Sequence, residues 1–281
     1  MMTRSVRRTH RIPRTARVAG AGAAALLALS ACSSSSDADA DTGSDSAGAS
    51  SSSSAKLSGQ VTVFAAASLK ESFTTLGETF EKQHPGTEVT FNFAGSDTLA
   101  ASITGGAPAD VFASASPKTM ATVTDAGATA GTPATFVRNQ LEIATLPGNP
   151  EHISSLKDLT GSGLKVVLCD RTVPCGAAAQ KALDAGGLDL TPVSYEQDVK
   201  AALTKVELKE ADAAVVYKTD VKAAGGKVTG VDFPESAKAV NDYPITLLKD
   251  APNADAASAF VELVKSAEGQ RVLTGAGFRT P

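Results

Sequence analysis

The chain has 281 residues, 26 of them Lys or Arg against 30 Asp or Glu, for a formal charge of −4, and 42% of it is hydrophobic. All six basic residues of the first 31 positions are arginines with no acidic partner, so residues 32–281 carry 20 basic against 30 acidic side chains, a formal −10. That balance excludes a body built to hold nucleic acid by charge. Three histidines leave little for a His-rich metal site or a Ser-His-Asp triad.

Arg4, Arg7, Arg8, Arg11, Arg14 and Arg17 precede an apolar run over 19–29 that is too short for a permanent membrane span. The run ends in Leu29-Ser-Ala-Cys32, which resembles a bacterial lipobox. The resemblance implies a signal peptide over 1–31, cleavage before Cys32 and a lipid anchor on its thiol, where two acyl chains hold far better than one. Residues 32–58 are almost entirely Ser, Ala, Asp and Gly, a composition that cannot bury a core and predicts a disordered tether. Export leaves Cys169 and Cys175 in an oxidising compartment. A disulfide between them is expected, worth about 2 kcal/mol by loop entropy; the alternative is a pair of small buried residues.

Beyond the tether, strand-like and helix-like stretches alternate. Residues 60–66 form a β-branched run, and Leu69, Phe73, Leu76 and Phe80 then repeat at helical spacing as far as His84-Pro85-Gly86. A second strand is predicted over 88–93, followed by a helix carrying Leu99 and Ile103. A third strand spans 109–113, and Pro117 sits where a proline opens a helix. From near Asn139 a second unit begins, with strands over 140–146, 165–168 and 213–217 and helices over 175–183 and 198–208. A strand over 240–248 leads to a last helix with Phe260, Leu263 and Val264. Strands alternating with helices predict βαβ crossovers and mostly parallel sheets.

Ser68 and Ser96 each stand where a predicted strand gives way to a helix. A serine there is an ordinary N-cap. Two such turns at the carboxyl ends of neighbouring strands are also where a small anion binds, on N–H groups without intrahelical partners and on the positive end of the helix dipole. Enzyme signatures are sparse. There is no Gly-x-Ser-x-Gly, Cys-x-x-Cys, His-Glu-x-x-His or phosphate-loop motif. Ser162-Gly-Leu-Lys165 matches Ser-x-x-Lys but precedes a strand rather than lying on a helix. A secreted serine hydrolase using Ser162 or Ser68 is the weaker reading.

Val63-Phe-Ala-Ala-Ala-Ser-Leu69, Phe93-Ala-Gly-Ser-Asp-Thr-Leu-Ala100, Gly106-Ala-Pro-Ala-Asp-Val-Phe-Ala-Ser-Ala115, Val173-Pro-Cys-Gly176, Glu196-Gln-Asp-Val199 and Val215-Val-Tyr217 occur in this order. Together they resemble the molybdate-binding proteins of bacterial ABC importers, over about residues 60–278. The resemblance implies an α/β, two-lobed fold of the type II periplasmic-binding-protein kind, with mixed, mostly parallel sheets flanked by helices and two crossing segments. Lobe 1 would comprise 59–138 plus 241–281, and lobe 2 would comprise 139–240. It implies no cofactor and no enzymatic activity: molybdate, and with it tungstate, is a ligand held in the interlobe cleft and handed to an ABC permease. Ser68 and Ser96 would each give a hydroxyl and an N–H, Cys175 and Val199 their backbone N–H, and Tyr217 its phenol O–H. Molybdenum would enter only as the oxoanion. The protein would act as a monomer outside the cytoplasm, tied to the cell membrane by its lipid alone and binding no nucleic acid. A sulfate or phosphate receptor of the same fold is the alternative. Asp97 departs from the family, which commonly has Ser there, and its carboxylate is expected to point away from a dianion; Asp170 and Asp198 are expected to cap. Because Ser96 is read as a ligand rather than scaffold, Ser96→Ala is expected to weaken binding with little effect on the ligand-free melting temperature.

Overall fold

The computed structural model describes residues 56–281. The expected signal peptide over 1–31, the expected lipidation site Cys32 and the expected tether as far as residue 55 lie outside the described residues. The last two positions of the 32–58 segment lie on the body: Leu57 packs against the core and Ser58 O accepts from Asn253 Nδ2 at 2.9 Å. No helix among the described residues is long and apolar enough to cross a membrane.

Two five-stranded sheets organise the body. The first contains β1 (Gly59–Ala66), β2 (Thr87–Ala94), β3 (Val111–Ala113), β4 (Ala134–Asn139) and β10 (Asn241–Leu247), in the order β2-β1-β3-β10-β4. The second contains β5 (Leu141–Thr145), β6 (Val166–Cys169), β7 (Ser194–Glu196), β8 (Ala213–Tyr217) and β9 (Thr229–Val231), in the order β7-β6-β8-β5-β9. The two orders are the same pattern used twice. In each sheet the fourth strand, β10 or β5, runs antiparallel to both neighbours and the other four strands share one direction. The chain passes between the sheets through Gln140 alone, from β4 into β5, and returns after β9 through a 3-10 turn at Pro234–Lys238.

Helices cover both faces of the first sheet, which is why its central strands carry apolar side chains on both sides. Val61, Val63 and Ala65 of β1 face a core shared with α1 (Lys70–Gln83), α7 (Ala254–Lys265) and α8 (Ala267–Gly275). Phe64 points the other way, with Phe112, into a core shared with α2 (Ser96–Thr104) and α3 (Pro117–Asp125). α3 starts with Pro117 behind Ser116, whose Oγ accepts from Thr119 N at 3.2 Å. Buried Asp110 ties this half together, accepting from Thr62 N and from Asn253 N, both at 2.7 Å. The second sheet shares a single core with α4 (Pro174–Gly186), α5 (Val199–Glu207) and α6 (Lys218–Ala224).

The sequence does not announce β4, β7, β9, α6 or α8; the last predicted helix, with Phe260, Leu263 and Val264, is α7. β7 and β9 are three-residue strands at the sheet edge, too short to show a period. The break after α7 comes at Ser266, whose Oγ both accepts from Gly269 N and donates to Leu263 O, ending one helix and starting the next.

Candidate ligand-binding site

Ser68, Ser96, Cys175, Val199 and Tyr217, far apart in sequence, line one small cleft. Ser68 and Ser96 come from the first sheet's half and the other three from the second's. Four chain turns reach it: the 3-10 turn Ala67–Leu69 that leads into α1, and the starts of α2, α4 and α5.

Neither serine acts as an N-cap. Ser96 is the first residue of α2, behind Gly95, and Ser68 lies inside its turn; no side chain caps either start. The α4 start behind Val173 also has no side-chain cap. The first N–H groups of a helix have no intrahelical acceptor, so three turns bring unpaired donors to one small space. α5 differs in part: Asp198 caps it, accepting from Lys200 N at 2.8 Å and Ala201 N at 2.9 Å. Among the described residues that carboxylate is the one charged group lining the cleft, and its Oδ1 is engaged in the cap while the N–H of Val199 lies beyond its bonds. The Asp170 carboxylate is similarly occupied, by Thr172 N and Oγ1. Asp97 is not among the residues lining the cleft; its Oδ1 is enclosed beside Gly95 without a hydrogen-bond partner.

The hydroxyls are held from behind. Ser96 Oγ accepts from Ala115 N at 3.0 Å, Ser68 Oγ lies 2.9 Å from Tyr243 Oη, and Tyr217 Oη accepts from Asn241 Nδ2 at 2.9 Å. Burial, with Tyr243 next, raises the Tyr217 phenol well above its ordinary value, so it remains a protonated donor. Tyr243, Asn139 and Asn241 were not singled out by sequence reasoning. The two asparagines flank the crossing segments and pair in register across β4 and β10, a juxtaposition that no local pattern signals.

Two glycines set the backbone approach. A Cβ on Gly95 would lie 2.6 Å from Gln197 O, which belongs to the opposite half of the cleft. A Cβ on Gly176 would run into the carbonyls of Cys169 and Asp170. Cys169, at the end of β6, and Cys175, in the first turn of α4, are joined by a disulfide, so the loop that delivers Val173 and Pro174 to the cleft is closed covalently. Cys175→Ala keeps the backbone N–H and removes this closure. We expect it to retain anion binding within a few-fold while unfolding about 2 kcal/mol more easily, as read by calorimetry and denaturant melts; loss of binding in a folded variant would mean that the sulfur itself is required.

Outside the cleft, Lys200 Nζ reaches Glu71 on α1 at 2.8 and 2.9 Å and Asp220 on α6 at 3.2 Å, bridging the two halves. Burial works against the ammonium, but Asp220 and Glu71 outweigh it and hold Lys200 above its ordinary range. Burial pushes the Asp220 carboxyl up to about 6 from 3.8, with Lys200 opposing. A folded-state value above the unfolded one favours folding fully below 3.8, and that advantage is lost as pH rises through about 6. Asp220→Asn should therefore gain on the wild type in thermal stability from about pH 4 to pH 6 and then level off, by up to about 3 kcal/mol. Parallel melting curves over that window would refute this.

Ser162 sits exposed in a turn before β6, away from the cleft, with Lys165 also exposed. Among the described residues no side-chain hydrogen bond joins Ser162 to Lys165 or to any other base.

A two-sheet α/β body with a small, donor-rich and cation-free cleft between its halves defines a receptor that clasps a small solute. The chain belongs to the bacterial extracellular solute-binding protein family, whose model matches residues 61–279. It is 47% identical over 221 residues to the molybdate-binding protein ModA of Mycobacterium tuberculosis, covering 79% of this chain and 85% of that one. It is 35% identical over 238 residues to the molybdate-binding protein ModA of Haemophilus influenzae, covering 79% and 90%. Among solved structures, the periplasmic molybdate-binding protein of Azotobacter vinelandii shares the fold at a TM-score of 0.69 and 21% identity, covering 79% of this chain and 99% of that one.

Proposed function

We propose that this protein is an extracytoplasmic solute-binding protein that captures molybdate, and with it tungstate, and delivers it to an ABC permease. It is a carrier and not an enzyme, and molybdate is its cargo rather than a cofactor. The observation that carries the reading is the convergence of four helix-start turns and three hydroxyls on one cleft with no Lys or Arg in its lining. Near neutral pH molybdate is a fully deprotonated tetrahedral dianion, so a site made of donors matches all its oxygens. The names of relatives at 47% and 35% identity support the same ligand.

In this reading Ser68 and Ser96 supply hydroxyls and N–H groups from lobe 1 (59–138 plus 241–281), and Cys175, Val199 and Tyr217 complete the set from lobe 2 (139–240). Each bond to a charged oxygen contributes about 1.5–3 kcal/mol net. A ligand touching both lobes favours their closed arrangement, which is the form offered to the permease. The protein works as a monomer held to the membrane by lipid on Cys32. Calorimetry of the mature chain with molybdate, tungstate, sulfate and phosphate tests the ligand: molybdate binding at micromolar or better, with phosphate far weaker, is expected, and preference for phosphate or no binding overturns it. Loss of membrane association in Cys32→Ala tests the anchor.

A further inference from the structure

We propose that Asn241 and Asn139 are positioning residues that fix the direction of the cleft's hydroxyl protons, so that Tyr217 and Ser68 offer hydrogens to a ligand rather than accept them. The proposal rests on the oxyanion reading above and adds to it how protonated anions are turned away. The orientation of each amide follows from its partners. Asn241 Nδ2 lies 2.8 Å from Ala115 O, an oxygen that can only accept, so this atom is the NH2 group and its second hydrogen is directed at Tyr217 Oη, 2.9 Å away. Asn139 Oδ1 accepts from Gln140 N at 2.9 Å, so its NH2 faces Thr219 Oγ1 at 2.8 Å and Tyr243 Oη at 3.4 Å.

The consequences propagate one bond at a time. Tyr217 Oη already accepts from Asn241, and its own hydrogen is left for the cleft that it lines. Tyr243 is fully buried and takes a hydrogen from Asn139; among the hydrogen bonds of the described residues, Ser68 Oγ is the acceptor open to its own O–H. Ser68 Oγ is thereby an acceptor towards Tyr243, and its hydrogen too is left for the cleft. Ser96 is set in the same sense by Ala115 N. The Ala115 peptide donates to Ser96 and accepts from Asn241, coupling a hydroxyl of one half to one of the other. Asn139 and Asn241 are register partners across β4 and β10, so both rungs stand on one rigid pair of strands beside the crossing. A proton-free dianion meets these three hydroxyl donors, while the one carboxylate in the lining, Asp198, is engaged through Oδ1 by Lys200 N and Ala201 N. An anion carrying a hydroxyl, such as hydrogen phosphate, brings a hydrogen that none of these hydroxyls is turned to accept, and a buried donor left unpaired is costly.

The test is Asn241→Asp, with Asn241→Leu as a second, neutral variant, titrated by calorimetry with molybdate, sulfate and phosphate at pH 8. The carboxylate of the first variant accepts the Tyr217 hydrogen, and in the second the freed Ala115 carbonyl competes for it; either turns Tyr217 Oη into an acceptor towards the cleft. At pH 8 all three ligands are essentially dianions, so added negative charge weakens each alike and cancels in their ratios. We expect molybdate and sulfate affinity to fall on the order of 100-fold in Asn241→Asp and the sulfate-to-phosphate affinity ratio to fall at least about tenfold, with a smaller change of the same sign in Asn241→Leu. Equal losses for all three anions in the folded variants, or phosphate still undetected at millimolar concentration, overturn the proposal. If the wild-type protein binds no molybdate, the oxyanion reading fails instead, and the two failures are distinct.

Discussion

Gly95→Ala is expected to weaken molybdate binding on the order of 10–100-fold while leaving the ligand-free protein folded at nearly its original melting temperature. The new methyl would lie 2.6 Å from Gln197 O and 2.7 Å from Asp97 Oδ1. Asp97 ends a flexible side chain and can turn aside. Gln197 O is backbone in the opposite half and can retreat only if the halves separate. Forcing a methyl into such a contact costs about 1–3 kcal/mol, and that cost falls on the closed arrangement because an open cleft relieves it. The backbone itself tolerates alanine, since Gly95 has φ −56° and ψ 135°, an ordinary conformation. Calorimetry with molybdate, paired with thermal melting of ligand-free protein, separates the two effects. Unchanged affinity would show that the halves do not approach this closely around the ligand.

Ser96→Ala is expected to reduce affinity by about 10–100-fold, and to do so at a cost in stability. Losing one hydroxyl bond to a charged oxygen removes about 1.5–3 kcal/mol of binding. Read from the sequence alone, Ser96 belongs to the ligand and its loss leaves the empty protein untouched. The structure corrects that expectation: Ser96 is buried and its Oγ is the acceptor for Ala115 N, so alanine leaves an N–H unpaired in the interior. About 1–3 kcal/mol of stability should go with it, seen as a melting temperature lower by several degrees without ligand. A variant that loses binding and melts as the wild type would mean that water replaces the hydroxyl at Ala115. In Gly95→Ala the fold is expected to be spared, and in Ser96→Ala it is not.

Much of the architecture was legible because it is local. The run Val61 to Ala66 alternates faces on a strand covered on both sides, and the stripe Leu69, Phe73, Leu76, Phe80 repeats at the pitch of α1; both patterns follow from fixed side-chain periods. Pro117 and Pro174 open α3 and α4 because a ring that fixes φ and lacks an N–H costs nothing there. Strands β7 and β9 escaped because three residues paired along one edge leave no periodic trace. β4 escaped although Thr135, Phe136 and Val137 favour a strand, because its buried and exposed positions do not alternate and its pairing is with β10, more than a hundred residues later. At the cleft, Ser68 and Ser96 stood out because each sits at a strand-to-helix turn, where chemistry and chain direction coincide, whereas Cys175, Val199 and Tyr217 were legible through the resemblance of their motifs to a known family.

Sequence by itself determined which peptides begin helices, that no cation stands among the motif residues, and that the body carries net negative charge, because composition and short-range sterics settle these without reference to distant residues. Only the tertiary structure decided that the four turns meet across one cleft, that Gly95 touches the opposite half, and that Asn139 and Asn241 stand behind the two tyrosines. Those relations depend on two chain crossings folding one sheet pattern against its twin, and contacts between residues a hundred positions apart leave no periodic mark along the chain.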